Sequence, residues 1–247
     1  MCLITFAYQT HQNFPLIVVA NRDEFYERPS KQAHYWPDAP TIFAGRDLQS
    51  NGTWLGVTKD GQFAAVTNYR DPSLPDIGEK SRGELVHQFL NGVDLSIFLK
   101  ELRHFKAAYG GYNFIGYAKG QMIHYNNILD EGGFVEPGIH AVSNASLNTP
   151  WPKVTFAKSM LEQNLYHPEQ LPTILLNKTI ASDSELPDTG VGLHLERILS
   201  APFVQTSGYG TRSNATIWLD ENEAITLTEQ LFEEGVPTAK NTYKISP

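Results

Sequence analysis

Apolar residues enter the chain in short runs that change period as it proceeds. Leu3 to Ala7 is apolar, Leu16 to Ala20 is rich in β-branched residues and Thr41 to Ala44 is a shorter run of the same kind, so each predicts a strand. Thr53 to Thr58 and Gln62 to Asn68 flank Lys59-Asp60-Gly61, and Asp-Gly is expected to supply the positive-φ positions of a tight hairpin turn. From Ser81 the period becomes helical. Leu85, Val86, Phe89 and Leu90 form one apolar face, and a second run from the N-cap candidate Asp94 carries Leu95, Phe98, Leu99, Leu102 and Phe105. Strands return at Tyr112 to Ala118, Gln121 to Tyr125 and Gly138 to Ser143. Helical spacing marks Pro152 to Leu165, Pro168 to Leu176 and Leu193 to Leu199, with Pro152 suited to a first helical turn. A last strand pair, Ala215 to Leu219 and Ala224 to Thr228, brackets the turn at 220–223.

Blocks of strands thus alternate with blocks of helices, without an internal repeat or a linker long enough to separate domains. The expectation is a single α+β domain over residues 1–247, in which a large, mostly antiparallel sheet system stacks face to face with helices outside. A hydrophobic fraction of 41% supplies ample core and excludes general disorder. The formal net charge of −8, with no cluster of Lys and Arg, excludes a protein that reads the phosphate backbone, so no nucleic-acid partner is expected. The start lacks the basic and apolar regions of a signal peptide, and no stretch supplies about 18 consecutive apolar residues. A cytoplasmic protein without a membrane span is expected.

The single cysteine, Cys2, cannot form an intramolecular disulfide or a thiolate zinc cluster. Removal of Met1 would place a thiol and a free α-amine on one residue, a nucleophile with its own base. The other reading is a small buried residue at the start of a strand. Asn21-Arg22-Asp23-Glu24 follows the run Leu16 to Ala20 and is expected at a strand end, either as a solvated turn or as a guanidinium and two carboxylates gripping a polar group. None of the eight histidines has a metal-ligand spacing, and no glycine-rich phosphate loop opens a helix. No metal or other cofactor is expected.

The opening Met-Cys-Leu-Ile, the stretch from Asn21-Arg22-Asp23-Glu24 to Arg28-Pro29, Gly52-Thr53-Trp54-Leu55-Gly56-Val57 and Asn68-Tyr69-Arg70 resemble the NRDE family, also called the transport and Golgi organisation protein 2 family. Gly111-Tyr112-Asn113-Phe114, His140-Ala141-Val142-Ser143-Asn144 and Tyr209-Gly210-Thr211-Arg212-Ser213 continue the match in order over nearly the whole chain. More distantly, this family is similar to N-terminal-nucleophile hydrolases of the penicillin V acylase and bile-salt hydrolase type. That likeness implies a four-layer αββα sandwich of two stacked sheets.

It also implies a site. Cys2 falls on the nucleophile, Asn144 on the oxyanion asparagine and Arg212 on a late arginine near the nucleophile. Asn21, Arg22, Asp23 and Glu24 fall near an Arg-Asn-any-Asp signature, with the arginine offset by one place and Glu24 as the acid. Two functions follow from the resemblance. One is an amidohydrolase or acyltransferase that attacks an amide or thioester of a small acyl substrate through Cys2. The other keeps the fold without chemistry, as a carrier or trafficking protein for a hydrophobic ligand such as haem or a lipid. The sequence leaves both open, and with them whether the chain is an enzyme.

Overall fold

The computed structural model describes residues 2–74, 78–92 and 94–247. The chain begins with a hairpin of β1 (Cys2–Tyr8) and β2 (Leu16–Phe25), in full antiparallel register from Cys2 opposite Arg22 to Tyr8 opposite Leu16. Seven strands then run as a meander, each beside its predecessor: β3 (Ser30–Trp36), β4 (Ala39–Asp47), β5 (Leu55–Thr58), β6 (Phe63–Asn68), β7 (Tyr112–Ala118), β8 (Gln121–Asn126) and β9 (Glu131–Phe134). The first hairpin is completed by later strands. Its free edges receive β10 (Gly138–Val142) beside β1 and β11 (Tyr209–Leu219) beside β2, followed by β12 (Ile225–Glu233) and β13 (Val236–Ile245).

The two sheets stack through a core drawn from alternate positions: Ile4, Phe6, Leu16, Val18, Ala20 and Ile217 from one, Val57, Phe63, Ala65 and Ile115 from the other. The remaining positions face outward onto helices. Leu3, Ile17 and Val19 pack against α3 (Pro152–Gln163) through Val154, Ala157 and Leu161. On the opposite outer face α1 (Arg82–Leu90) and α2 (Leu95–His104) set Val86, Phe89 and Phe98 against Ala64, Phe114 and Ile123. The fold is therefore the four-layer αββα sandwich, and no helix among the described residues is long and apolar enough to cross a membrane.

Several local expectations stand and several need correction. Asp94 caps α2, its carboxylate accepting from the amides of Ser96 and Ile97. The 59–61 turn joins β5 and β6, but only Gly61 has a positive φ, at 75°; Asp60 does not. An amide-to-carbonyl bond from Gly61 to Thr58 shows a three-residue loop with glycine at its left-handed position. Residues 168–176 form only a short 3₁₀ turn at Leu171–Thr173, because Pro172 interrupts a helix there; Leu171 and Leu175 still cover the sheet. The strands missing from the sequence reading, β3, β9 and β13, each lie at a sheet edge or beside water, where apolar alternation is weak. The α4 helix (Leu193–Ser200) agrees with its expected span.

Candidate active site

Strand β2 carries the tetrapeptide inside the sheet: it continues through Phe25, with Asn21 to Glu24 paired to β11 and Arg22 and Asn21 also to β1. These are strand residues, neither a solvated turn nor the loop after a strand. Alternation then sends neighbours to opposite faces. Arg22 shares the parity of Val18 and Ala20 and turns between the sheets, whereas Asn21 and Asp23 share that of Ile17 and Val19 and turn toward the helical layer. Asn21 is fully buried and accepts from Asn214 while donating to the carbonyls of Leu175 and Pro202. That is a structural stitch, away from the cleft.

Cys2 has the parity of Ile4 and Phe6 and faces a cavity of about 860 Å³ at the open end of the sandwich. Arg22, Asp23, Glu24, Asp47, Trp54 and Arg212 line the same cavity. Burial pushes the Cys2 thiol up, and Asp23 adds to the rise; Arg22 and the backbone N–H of Asp23 act the other way. Among the described side chains, the cation that favours the thiolate is Arg22. Arg22 in turn belongs to a network, 3.5 Å from Asp47 and 3.9 Å from Glu24, while Arg28 meets the same carboxylates at 2.5 and 3.8 Å. Burial alone would raise Asp47, yet the Arg28 hydrogen bond, the Ser50 amide and Arg22 take its carboxyl below the usual value. Glu24 is spent on this network, and Asp23 is the carboxyl whose charge acts on Cys2. Asp23 is 1% exposed, accepts from the Thr211 hydroxyl at 2.7 Å, and its carbonyl accepts from Tyr209 at 3.0 Å.

Arg212 owes its direction to an irregularity. Thr211 pairs with Asp23 and Ser213 with Arg22, so Arg212 is the extra residue of a β-bulge, a device that re-aims a side chain. Its guanidinium Nη1 donates to the carbonyls of Phe25, Tyr26 and Arg28 at 2.8, 2.9 and 3.2 Å, which fixes the chain at the cavity mouth. Asn144 approaches from behind. It is fully buried, lies outside the cavity lining, and its Nδ2 donates to the carbonyl of Asn68, a residue that does line the cavity. The adjoining Ser143 donates to the Cys2 carbonyl at 2.9 Å.

The sequence reading placed Ser143 and Asn68 inside family motifs without giving either a role of its own, and it did not name Lys153. Lys153 in the first turn of α3 is 2% exposed, and its burial, with Arg70 adding to the effect, brings its ammonium down to about 8 against the opposing pull of Asp23 and Cys2. The only sequence signal was a lysine beside a predicted helix start that would be expected in water.

The family model for Transport and Golgi organisation 2 matches residues 1–234. The human Transport and Golgi organization protein 2 homolog is 36% identical over 93% of this chain and 92% of its own length. The mouse Transport and Golgi organization 2 homolog is 34% identical over 100% and 99%. Among solved structures, the mutant C2A conjugated bile acid hydrolase from Clostridium perfringens superimposes with a TM-score of 0.55 at 8% identity, covering 99% of this chain and 92% of that one. At that identity the likeness shows the shared fold.

Proposed function

The chain belongs to the Transport and Golgi organisation 2 family, and from that premise we propose that it is an N-terminal-nucleophile amidohydrolase or acyltransferase that attacks an amide or thioester through Cys2. One observation carries the reading. The only thiol of the chain stands at the first position of a strand flanked by two others, lines the cleft with Arg22 as its register partner, and feels the charge of the buried Asp23 one position further along β2. The solved bile acid hydrolase of the same fold is a mutant whose second residue is changed from cysteine to alanine, which supports Cys2 as the position of interest.

The thiol is not activated by its surroundings alone, since burial raises it. Activation falls to the α-amine that loss of Met1 exposes; Met1 itself lies outside the described residues. The amine takes the thiol proton, the thiolate adds to the acyl carbon, and the carbonyl oxygen becomes an oxyanion. The family resemblance puts Asn144 Nδ2 and a backbone N–H forward as donors to that oxyanion, which requires the Asn144 amide, donating to the Asn68 carbonyl behind the cavity lining, to turn toward the cleft. Collapse breaks the bond to the leaving amine or thiol, which takes the proton held by the ammonium, and leaves an acyl thioester on Cys2. Water, deprotonated by the same amine, releases the acid; an acceptor amine or alcohol in its place gives acyl transfer.

The cleft is lined by basic and acidic side chains in equal number, which favours a substrate with polar or charged groups over an unsubstituted lipid and weighs against the carrier reading. Intact-mass analysis with an acyl electrophile tests the proposal. Loss of Met1 together with rapid adduct formation at Cys2 is the expected result. A Cys2 with a free amine that reacts no faster than glutathione at the same pH overturns it.

A further inference from the structure

Lys153 presents a buried ammonium whose Nζ has no hydrogen-bond partner among the described residues. A buried cation persists in that state only where a counter-charge faces it or where it gives up its proton. Four charged or titratable groups act on it: Asp23, Cys2 and Glu196 favour the ammonium, and Arg70 opposes it. Glu196 is already engaged. It accepts from Arg70 at 2.8 Å and from the amide and hydroxyl of Thr189 at 2.9 and 2.5 Å. Asp23 is left as the counter-charge, and it lies on the face of β2 that turns toward α3.

The relation also holds from the other side. Burial pushes the Asp23 carboxyl up, and Lys153 is the strongest influence in the opposite direction, ahead of the Thr211 hydrogen bond and Arg22. Arg22 is shared with Asp47 and Glu24 on the cleft side of the sheet, so it offers Asp23 less. Cys2 and the Tyr209 phenol complete the surroundings, and ionised Asp23 opposes the ionisation of each.

We propose that Lys153 is a positioning residue for the Cys2 site, whose ammonium keeps Asp23 ionised so that this carboxylate can hold the Cys2 α-amine and the ammonium formed when the amine takes the thiol proton. The assignment rests on the amidohydrolase reading and deepens it. Lys153 touches neither substrate nor thiol; it acts through Asp23. Without it, burial keeps Asp23 protonated, and the amine loses its anionic partner.

The test is the pH profile of Cys2 labelling by an acyl electrophile, in protein confirmed by mass to lack Met1. Lys153→Met is expected to move the acid limb of the profile upward by about one pH unit, and Lys153→Arg to return it toward wild type. Asp23→Asn is expected to remove that limb, and Lys153→Met to change nothing further in its background. Should Lys153→Met alone fail to fold, the double variant, in which both charges are gone, carries the comparison with Asp23→Asn. Labelling of the double variant equal to that of Asp23→Asn supports the proposal, and a further loss overturns it. An acid limb unmoved by Lys153→Met, with a reactive wild-type Cys2, overturns this proposal alone. An unreactive wild-type Cys2 overturns the amidohydrolase reading and this proposal with it.

Discussion

The hydroxyl of Ser143 donates to the carbonyl of Cys2 across 2.9 Å and lies 3.1 Å from Asn144 Oδ1. This contact ties the end of β10 to the first residue of β1 and couples the candidate nucleophile to the candidate oxyanion donor. Thr67 extends the tie to the second sheet by donating to the Ser143 carbonyl at 2.5 Å.

Ser143→Ala leaves the buried Cys2 carbonyl without that donor. The expected loss is about 1–3 kcal/mol of stability, the cost of an unsatisfied buried group. Urea unfolding reads it, and Cys2 labelling should slow at the same time because the strand start is no longer held.

Cys2→Ala and Cys2→Ser should fold and lose all labelling. Truncating one small side chain costs on the order of 1–2 kcal/mol, small beside a typical stability of about 5–15 kcal/mol. Circular dichroism and intact mass after exposure to the electrophile check the two halves separately; residual labelling of either variant places the reaction elsewhere.

Asn144→Ala should slow turnover about 10²–10³-fold if its amide serves the oxyanion. It also removes the donor to the Asn68 carbonyl at 3.0 Å, so stability must be measured alongside. Turnover changing less than threefold in a folded variant removes Asn144 from the oxyanion role.

The Arg70–Glu196 pair, at 2.8 Å with side chains only 6% and 3% exposed, joins the segment after β6 to α4. Arg70→Met should cost about 3–5 kcal/mol, since it strands a buried carboxylate. Adding Glu196→Gln should recover part of that loss, and a double-mutant cycle on thermal unfolding reads the coupling; strictly additive losses would contradict it.

Acid stability should depend on His124 in β8. Burial, with His140 as a second cause, holds its imidazolium down to about 4, against an ordinary 6.5. Below pH 6.5 the unfolded chain binds a proton that the native ring refuses until about pH 4, so stability falls as pH drops through that window and is unaffected above it. The loss from this group is about 3 kcal/mol. His124→Gln should flatten the difference between unfolding free energies at pH 6.5 and 4.5; an unchanged slope contradicts the assignment.

Much of the fold was legible because burial on one or both faces writes itself into the local pattern. β1, β2, β7, β8 and β11 show apolar runs or alternation, and α1 and α2 show a helical stripe with Asp94 at the cap. The edge strands β3, β9 and β13 were silent for the same reason: β13, for one, has one neighbour and a largely exposed, polar sequence with Pro237 and Lys240. The 168–176 segment had the right apolar content and the wrong backbone, since buried leucines can cover a sheet without forming a helix.

The sequence by itself determined the strand and helix periods, the lone thiol at position 2 and the ordered residues of the family, all of which depend on residue type and near neighbours. Only the tertiary structure decided which carboxylate acts on that thiol. Asp23 and Glu24 are adjacent in sequence, but the register of β2 between β1 and β11 sends Asp23 to the buried helical face and Glu24 to the Arg22–Arg28 network. Tertiary packing also buried Lys153. A lysine in the first turn of a helix belongs in water unless a counter-charge waits inside, and that charge, Asp23, lies 130 positions earlier on a different element. Pairings at such separation depend on how sheets and helices stack, which no local pattern encodes.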